Sequence, residues 1–114
     1  MIPPAGTFLA NVRQGVVQLP PPIVRFCKAE GWNFFRISCL DEERLEFAPV
    51  LANDNVDDLD TGFHSSLSED GKLWIPAELR EAVKLGEQSV MIRIEDGLLR
   101  VYLRKVFKTL GFGP

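Results

Sequence analysis

The sequence predicts a mainly β protein with short helices, in which two similar halves of the chain fold together into one barrel. Three observations support this prediction. Similar segments recur 56 residues apart. Apolar residues alternate with polar ones over short stretches that end at glycine or proline, which is typical of strands. Each half is only about 40 residues long, and a unit of that size seldom buries enough apolar surface to be stable alone. We therefore expect the halves to interleave around a pseudo-twofold axis.

The repeat is clearest where a strand meets a helix. Residues 15–20 are GVVQLP and residues 71–76 are GKLWIP, so glycine, proline and the apolar positions coincide. Side chains two apart on a strand share a face, and the more apolar set should face inward. The predicted inward positions are Val17, Leu19, Leu73 and Ile75. The predicted outward positions are Val16, Gln18, Lys72 and Trp74.

The first half, residues 7–50, is predicted to run strand, strand, helix, strand, strand. A turn with glycine at residue 15 separates the first two strands, because glycine adopts the positive φ that closes a hairpin. Proline ends the second strand, since it cannot donate to the ladder, and it suits the first turn of a helix. The ranges are Thr7–Val12, a strand through Val17 and Leu19, a helix from Pro21 or Pro22 to Ala29, and strands Phe34–Leu40 and Arg44–Val50. Ile23, Phe26 and Cys27 form the apolar stripe of the helix, and Trp32, Phe34 and Phe35 are predicted core residues.

The second half, residues 62–103, is predicted to repeat the same order. Its last two strands are joined by Asp96-Gly97, a strong hairpin signal. The ranges are Gly62–Leu67, a strand through Leu73 and Ile75, a helix from Pro76 to about Lys84, and strands Val90–Glu95 and Leu98–Leu103. The helix carries its apolar stripe on Leu79, Ala82 and Val83.

The composition is that of an ordinary globular domain. Hydrophobic residues make up 46% of the 114 residues and charged residues 25%, which argues against disorder. No apolar run approaches the roughly 18–20 residues that span a bilayer, so we expect a cytoplasmic protein without a membrane partner. Two cysteines and one histidine are too few for a disulfide scaffold or a four-ligand zinc site. We therefore expect Cys27 and Cys39 to be buried thiols, and we predict no cofactor.

Charge is unevenly distributed along the chain. The formal net charge is −3, yet residues 7–50 balance to zero and residues 62–114 to +1. The difference lies in residues 51–61, where four aspartates occur without a base, and this pattern predicts a solvated acidic linker. The aspartates are Asp54, Asp57, Asp58 and Asp60. Any binding of phosphates must then come from a local cluster of lysine and arginine residues.

No pattern in the sequence indicates catalysis. The chain has no phosphate loop, metal-ligand cluster or pairing of a nucleophile with a base, so we predict that it is not an enzyme.

Residues 69–83, EDGKLWIPAELREAV, and residues 85–97, LGEQSVMIRIEDG, contain a turn ending in Gly-Lys, an apolar-x-Ile-Pro strand end, a Glu-Leu-Arg helix and a Gly-Asp-like turn. In this pattern the second half resembles the SpoVT/AbrB family, where the turn ends in Gly-Arg or Gly-Lys. Two copies in one chain are similar to the MraZ branch of that family. The resemblance implies a swapped-hairpin barrel, in which each half exchanges a hairpin with the other. It also implies that the first strands, their turns and nearby helix residues bind DNA.

Carried over by position, the resemblance implies DNA contacts from Lys72, after the turn glycine, and from Arg80, after the helix leucine. Lys84 lies one turn further along the predicted helix. The first half has valine at the two matching positions, so neighbouring basic residues are predicted to supply the positive charge there. The candidate DNA-binding residues are thus Lys72, Arg80, Lys84, Arg13 and Arg25.

Partner binding is predicted at an outward tryptophan and at the C-terminal tail, residues 104–114. Trp74 either stacks on a base or a partner, or is covered by the tail. The tail mixes bases with apolar residues and either binds a partner, including another copy of the chain, or packs back onto the barrel. The candidate partner-binding residues are Trp74, Arg104, Lys105 and Phe107.

Two functions stay open on the sequence. The first is a small DNA-binding transcriptional regulator, associated with the nucleoid. The alternative is a protein-interaction module, antitoxin-like or an assembly partner, that keeps the barrel without binding DNA.

Overall fold

A computed structural model describes residues 2–51 and 62–103 of the chain. The aspartates of the predicted acidic linker lie outside the described residues, as do Arg104, Lys105 and Phe107 of the predicted tail.

Both halves have the order strand, strand, helix, strand, strand, and every predicted element is present. The ends of the elements differ from the predicted ones by at most two residues. The elements are β1 (Phe8–Arg13), β2 (Val16–Gln18), α1 (Pro21–Ala29), β3 (Phe34–Asp41), β4 (Arg44–Pro49), β5 (Phe63–Ser66), β6 (Lys72–Trp74), α2 (Ala77–Ala82), β7 (Gln88–Glu95) and β8 (Leu98–Tyr102).

All eight strands belong to one antiparallel sheet in the order β5-β3-β4-β8-β7-β1-β2-β6. The two end strands, β5 and β6, are joined by a single bridge between Leu67 and Leu73. The hydroxyl of Ser65 also accepts a hydrogen bond from the backbone N–H of Trp74 at 3.1 Å. The sheet is therefore a nearly closed barrel, and the prediction of a mainly β fold with short helices is confirmed.

Strand pairing crosses between the two halves of the chain. Strand β1 of the first half pairs with β7, and β5 of the second half pairs with β3. Two further pairs join strands of different halves, β2 with β6 and β4 with β8, and we call each such boundary a seam. The backbone N–H of Leu19 donates to the Gly71 carbonyl, and that of Ile75 donates to the Gly15 carbonyl, both at 2.8 Å. Each half thus completes its sheet only by pairing with the other.

The barrel interior is filled by the predicted inward residues. Val17, Leu19, Leu73 and Ile75 are all buried. Phe26 of α1 packs edge-on against Trp32, with ring centroids 5.1 Å apart, and the core continues through Phe35. Phe34 differs from its prediction, because it is only half-buried and stacks on His64 with a centroid distance of 5.5 Å. The alternation of β3 places Phe35 inside and Phe34 outside.

Helix α2 is shorter than predicted, and one residue of its predicted stripe is wrong. Ala82 is exposed, whereas Val83 and Leu85 are buried. The chain leaves the helix after Ala82, and Lys84 adopts a left-handed conformation with φ of 55°. This change of direction brings Val83 and Leu85 into the core and leaves Lys84 exposed beyond the helix.

The two cysteines differ in environment, so the prediction that both are buried is wrong for Cys39. Cys27 lies in the buried stripe of α1, and burial raises the pKa of its thiol to about 11. Cys39 is exposed although its register partner Leu45 is buried, because it lies in the end of β3, residues 38–41, where every residue is exposed.

We predict that one thiol reacts readily with Ellman's reagent in the folded protein at pH 8. A buried thiol with a raised pKa contains almost no thiolate, which is the reactive form. Absorbance should show one fast thiol in buffer and two in denaturing urea, and Cys39→Ser should remove the fast one. Fast reaction of the Cys39→Ser variant in buffer would contradict this assignment.

Neither helix in the described ranges has the length and apolar character needed to cross a membrane.

Candidate nucleic-acid interface

Four outward side chains lie in line across β7, β1, β2 and β6. Ser89 is opposite Asn11, Asn11 is opposite Gln18, and Gln18 is opposite Lys72. All four are exposed. We call these four residues the polar row. It crosses the β2·β6 seam, so it contains residues of both halves.

A second line of outward side chains runs beside the polar row. Arg13 of β1 is opposite Val16 of β2, and Val16 is opposite Trp74 of β6. Arg13 is exposed, and 57% of the Trp74 surface is open to solvent. The prediction that Val16, Gln18, Lys72 and Trp74 face outward is therefore confirmed.

The two lines enclose an open groove of about 390 Å³. The described residues that line it are two cations, three amides and one valine, and none of them is acidic. They are Asn11, Arg13, Gln14, Val16, Gln18 and Lys72. In a chain with a net charge of −3, this lining makes the groove a suitable surface for an anionic, hydrogen-bonding ligand.

Hydrogen bonds engage both amides of the polar row, and those to backbone carbonyls fix the orientation of Gln18. The Gln18 Nε2 group donates to the carbonyls of Asp70, Gly71 and Leu19 at 2.9, 3.3 and 3.4 Å. Its Oε1 atom is therefore the end left to accept from a ligand. The Ser89 hydroxyl donates to Asn11 Oδ1 at 3.1 Å, which leaves the Asn11 Nδ2 group as a donor.

Lys72 lies at the edge of the groove beside a carboxylate. Its Nζ atom is 3.3 Å from Asp70 Oδ2. Hydrogen bonds from Ser68 and then from Lys72 lower the pKa of Asp70 below its usual value, so Asp70 stays ionised and partly neutralises Lys72. An ammonium has three N–H donors, and the exposed side chain of Lys72 can direct the others into the groove.

Arg80 is half-buried, and it packs the Gln14-Gly15 turn of the first half against α2. Its Nε atom donates to the Ile75 carbonyl at 3.0 Å. Its guanidinium covers Gly15 so closely that a Cβ added there would lie 2.8 Å from Cζ. Val24 covers Gly71 in the same way from the other half. The matching valine and arginine thus share a packing role, and a DNA contact by Arg80 stays a prediction.

The other two candidate DNA-binding residues, Arg25 and Lys84, lie outside the groove. Arg25 is exposed on α1 and lines a separate depression of about 260 Å³, together with Glu69 and Asp70. Lys84 is exposed just after α2. The structure thus brings Lys72 and Arg13 together and leaves Arg25 and Lys84 apart from them.

Arginines on the opposite seam of the barrel, β4·β8, are neutralised by ion pairs within the protein. Arg100 forms ion pairs with Glu46 at 3.2 Å, Glu95 at 3.3 Å and Asp96 at 3.0 Å. Arg44 forms an ion pair with Asp41 at 2.8 Å. This seam therefore offers a phosphate less unpaired positive charge than the groove does.

Five site residues were not predicted as such from the sequence: Asn11, Gln14, Val16, Gln18 and Ser89. Of these, Val16 and Gln18 were predicted only to face outward. A two-residue turn at Gln14-Gly15 would have placed Asn11 opposite Gln18, and this was the signal available in the sequence. Ser89 could not have been found in this way, because its position depends on the pairing of β1 with β7.

No protein-family model matches the chain, and no curated protein has a matching sequence. Among the described residues, no group of three or more histidine, cysteine, aspartate or glutamate side chains is placed to hold a metal ion.

Proposed function

We propose that this protein is a small DNA-binding transcriptional regulator, a two-copy relative of the SpoVT/AbrB family that binds duplex DNA with the groove face of its barrel. The observation that carries the proposal is the groove lining of cations and amides, free of carboxylates among the described residues, in a chain of net negative charge.

Two further observations support the family assignment. The first two strands of each half pair with strands of the other half, which is compatible with a swapped-hairpin barrel. The family-like residues 69–97 form the turn before β6, helix α2, strand β7 and the start of the hairpin that follows it.

The proposed binding mode combines phosphate contacts with contacts to base edges. The major groove of B-DNA is about 12 Å wide and admits a ribbon of strands. Arg13 would contact a phosphate at one edge of the groove. At the other edge, the Lys72 ammonium has N–H donors for a phosphate and for the neighbouring base edge. Phosphate contacts orient the protein, and the amides between them would contact bases.

The proposal predicts salt-dependent binding to duplex DNA that is weakened by Arg13→Ala and Lys72→Ala. Each lost phosphate contact should lower the affinity about tenfold. The double variant should also reduce the slope of log affinity against log salt by about two. Fluorescence anisotropy with a duplex selected from a randomised pool, measured across a salt series, gives both quantities.

Arg44→Ala is the matched control, because it also removes an exposed, ion-paired base next to a turn, but on the opposite seam. Its affinity should equal that of the unaltered protein. Equal losses from Arg44→Ala and Lys72→Ala would show that net charge rather than the groove determines binding. No enrichment of any duplex, even at low salt, would contradict the regulator.

The exposed Trp74, with the half-buried Val16 beside it, favours a second candidate, a protein-interaction module. An exposed indole beside an apolar neighbour is a common anchor in protein interfaces. This candidate predicts no retardation of DNA at low salt and loss of a co-purifying protein in a Trp74→Ala variant.

A further inference from the structure

We propose that the polar row recognises one A·T base pair in the major groove, with Val16 contacting the thymine methyl group. This inference rests on the proposed DNA-binding function and adds the base pair that is recognised and the residues that recognise it.

The centre of the polar row is a hydrogen-bond acceptor. The amide nitrogen of Gln18 faces three backbone carbonyls, two of them from the turn before β6. Turning the amide over would set its oxygen against those carbonyls, so the acceptor must stay on the outer side. A ligand at this position must supply a donor.

Donors lie on both sides of that acceptor. On β1, the Ser89 hydroxyl donates to Asn11 Oδ1, and no hydrogen bond within residues 2–51 and 62–103 uses Asn11 Nδ2. On β6, the Lys72 ammonium can only donate. From Asn11 through Gln18 to Lys72, the polar row therefore presents the pattern donor, acceptor, donor.

This pattern is complementary to an A·T pair and not to a G·C pair. In the major groove, A·T presents the acceptor N7, the donor N6–H and the acceptor O4, whereas G·C presents the acceptors N7 and O6 followed by the donor N4–H. Placed on G·C, Gln18 Oε1 would face the acceptor O6. Both atoms would then be desolvated without a hydrogen bond, which disfavours that pair.

The apolar member of the groove fits the same base pair. Val16 shares a face of β2 with Gln18 and is the one valine among the described lining residues. Thymine carries a methyl group next to O4, and small apolar side chains contact it. Neighbouring strands are about 4.8 Å apart, so β1, β2 and β6 together span about 10 Å, within the width of the major groove.

The test first selects duplexes from a pool with a randomised core and then alters single groups on the selected DNA. The polar row should enrich one invariant A·T pair. Replacing that adenine by 7-deazaadenine removes N7, and replacing the thymine by uracil removes the methyl group. Each change should weaken binding of the unaltered protein about five- to tenfold in fluorescence anisotropy.

Two variants test which residue contacts the adenine N7 and which contacts the thymine methyl group. Asn11→Ala should lose its sensitivity to 7-deazaadenine and keep its sensitivity to uracil, and Val16→Ala should show the reverse. Both side chains are at the surface, and unchanged thermal unfolding would verify the fold. The base substitutions on the unaltered protein test the inference even if a variant fails to fold.

The outcomes separate this inference from the function on which it rests. Salt-dependent duplex binding without an invariant A·T pair, or with equal sensitivity of both variants to both base changes, overturns the A·T inference and leaves the regulator standing. Absence of any duplex binding overturns the regulator and, with it, this inference. An invariant A·T pair with the two crossed sensitivities supports both.

Discussion

Replacing Gly71 with alanine is expected to lower the free energy of unfolding by about 2–5 kcal/mol. Gly71 has φ of +84°, which a residue with a Cβ adopts only with strain, and the added Cβ would lie 2.5 Å from Val24 Cγ2. Val24 is branched at Cβ and lies in the first turns of α1, so it cannot swing away without moving the helix. Urea denaturation followed by circular dichroism would measure the loss.

Gly15→Ala is the matched control at the equivalent turn of the first half. Its φ of +77° imposes a similar strain, but its Cβ would meet the guanidinium of Arg80, a long side chain that can shift by giving up its hydrogen bond to Ile75, instead of a branched side chain. We expect a loss about 1–2 kcal/mol smaller than for Gly71→Ala. Val24→Ala should recover part of the stability in the Gly71→Ala background and none in the Gly15→Ala background. Equal losses at the two glycines would contradict the Val24 contact.

Phe47→Ala is expected to cost about 3–5 kcal/mol and to weaken both halves of the chain together. Phe47 is fully buried, its ring lies edge-on to Phe35 at 6.2 Å, and its backbone pairs with Leu99 of the second half. Since the two halves share one sheet and one core, the cavity should destabilise strands of both. Urea denaturation should give a single transition, and hydrogen exchange should accelerate equally for the slowest amides of β4 and β7.

Leu9→Ala is the control for the loss of an apolar side chain. Leu9 is 70% exposed on β1, so its removal should change stability by less than about 0.5 kcal/mol. If Phe47→Ala accelerated exchange in β4 while β7 kept its full protection, the halves would have separate cores.

The sequence was sufficient for the order of the elements and for the inward faces of β2 and β6. Period-two alternation identified Val17 and Leu73 as core positions, and the prolines before each helix marked the strand ends. These signals are local, because a strand or a helix start depends on residues within a few positions of each other. The mainly β fold followed from them, together with the small size of each half.

The sequence was insufficient to predict burial where contacts with residues distant in the chain change a local pattern. Ala82 fits a helical stripe, but the burial of Leu85 ends the helix first. Cys39 fits a buried strand, but it lies in the exposed end of β3. At Ala82, packing against the rest of the barrel overrides the pattern, because burying a larger apolar side chain contributes more than continuing a regular element.

The candidate site was predicted only in part, because it is made by pairing across the halves. Lys72 was found from the resemblance and Arg13 from its place in the turn, whereas the amides, Val16 and Ser89 were not predicted as site residues. By itself, the sequence determined which side chains face outward on β2 and β6. Only the tertiary structure decided which outward side chains become neighbours and which end of the Gln18 amide is left to accept a hydrogen bond. The physical reason is that these features depend on hydrogen bonds between residues more than 50 positions apart, such as Gln18 with Asp70 and Asn11 with Ser89.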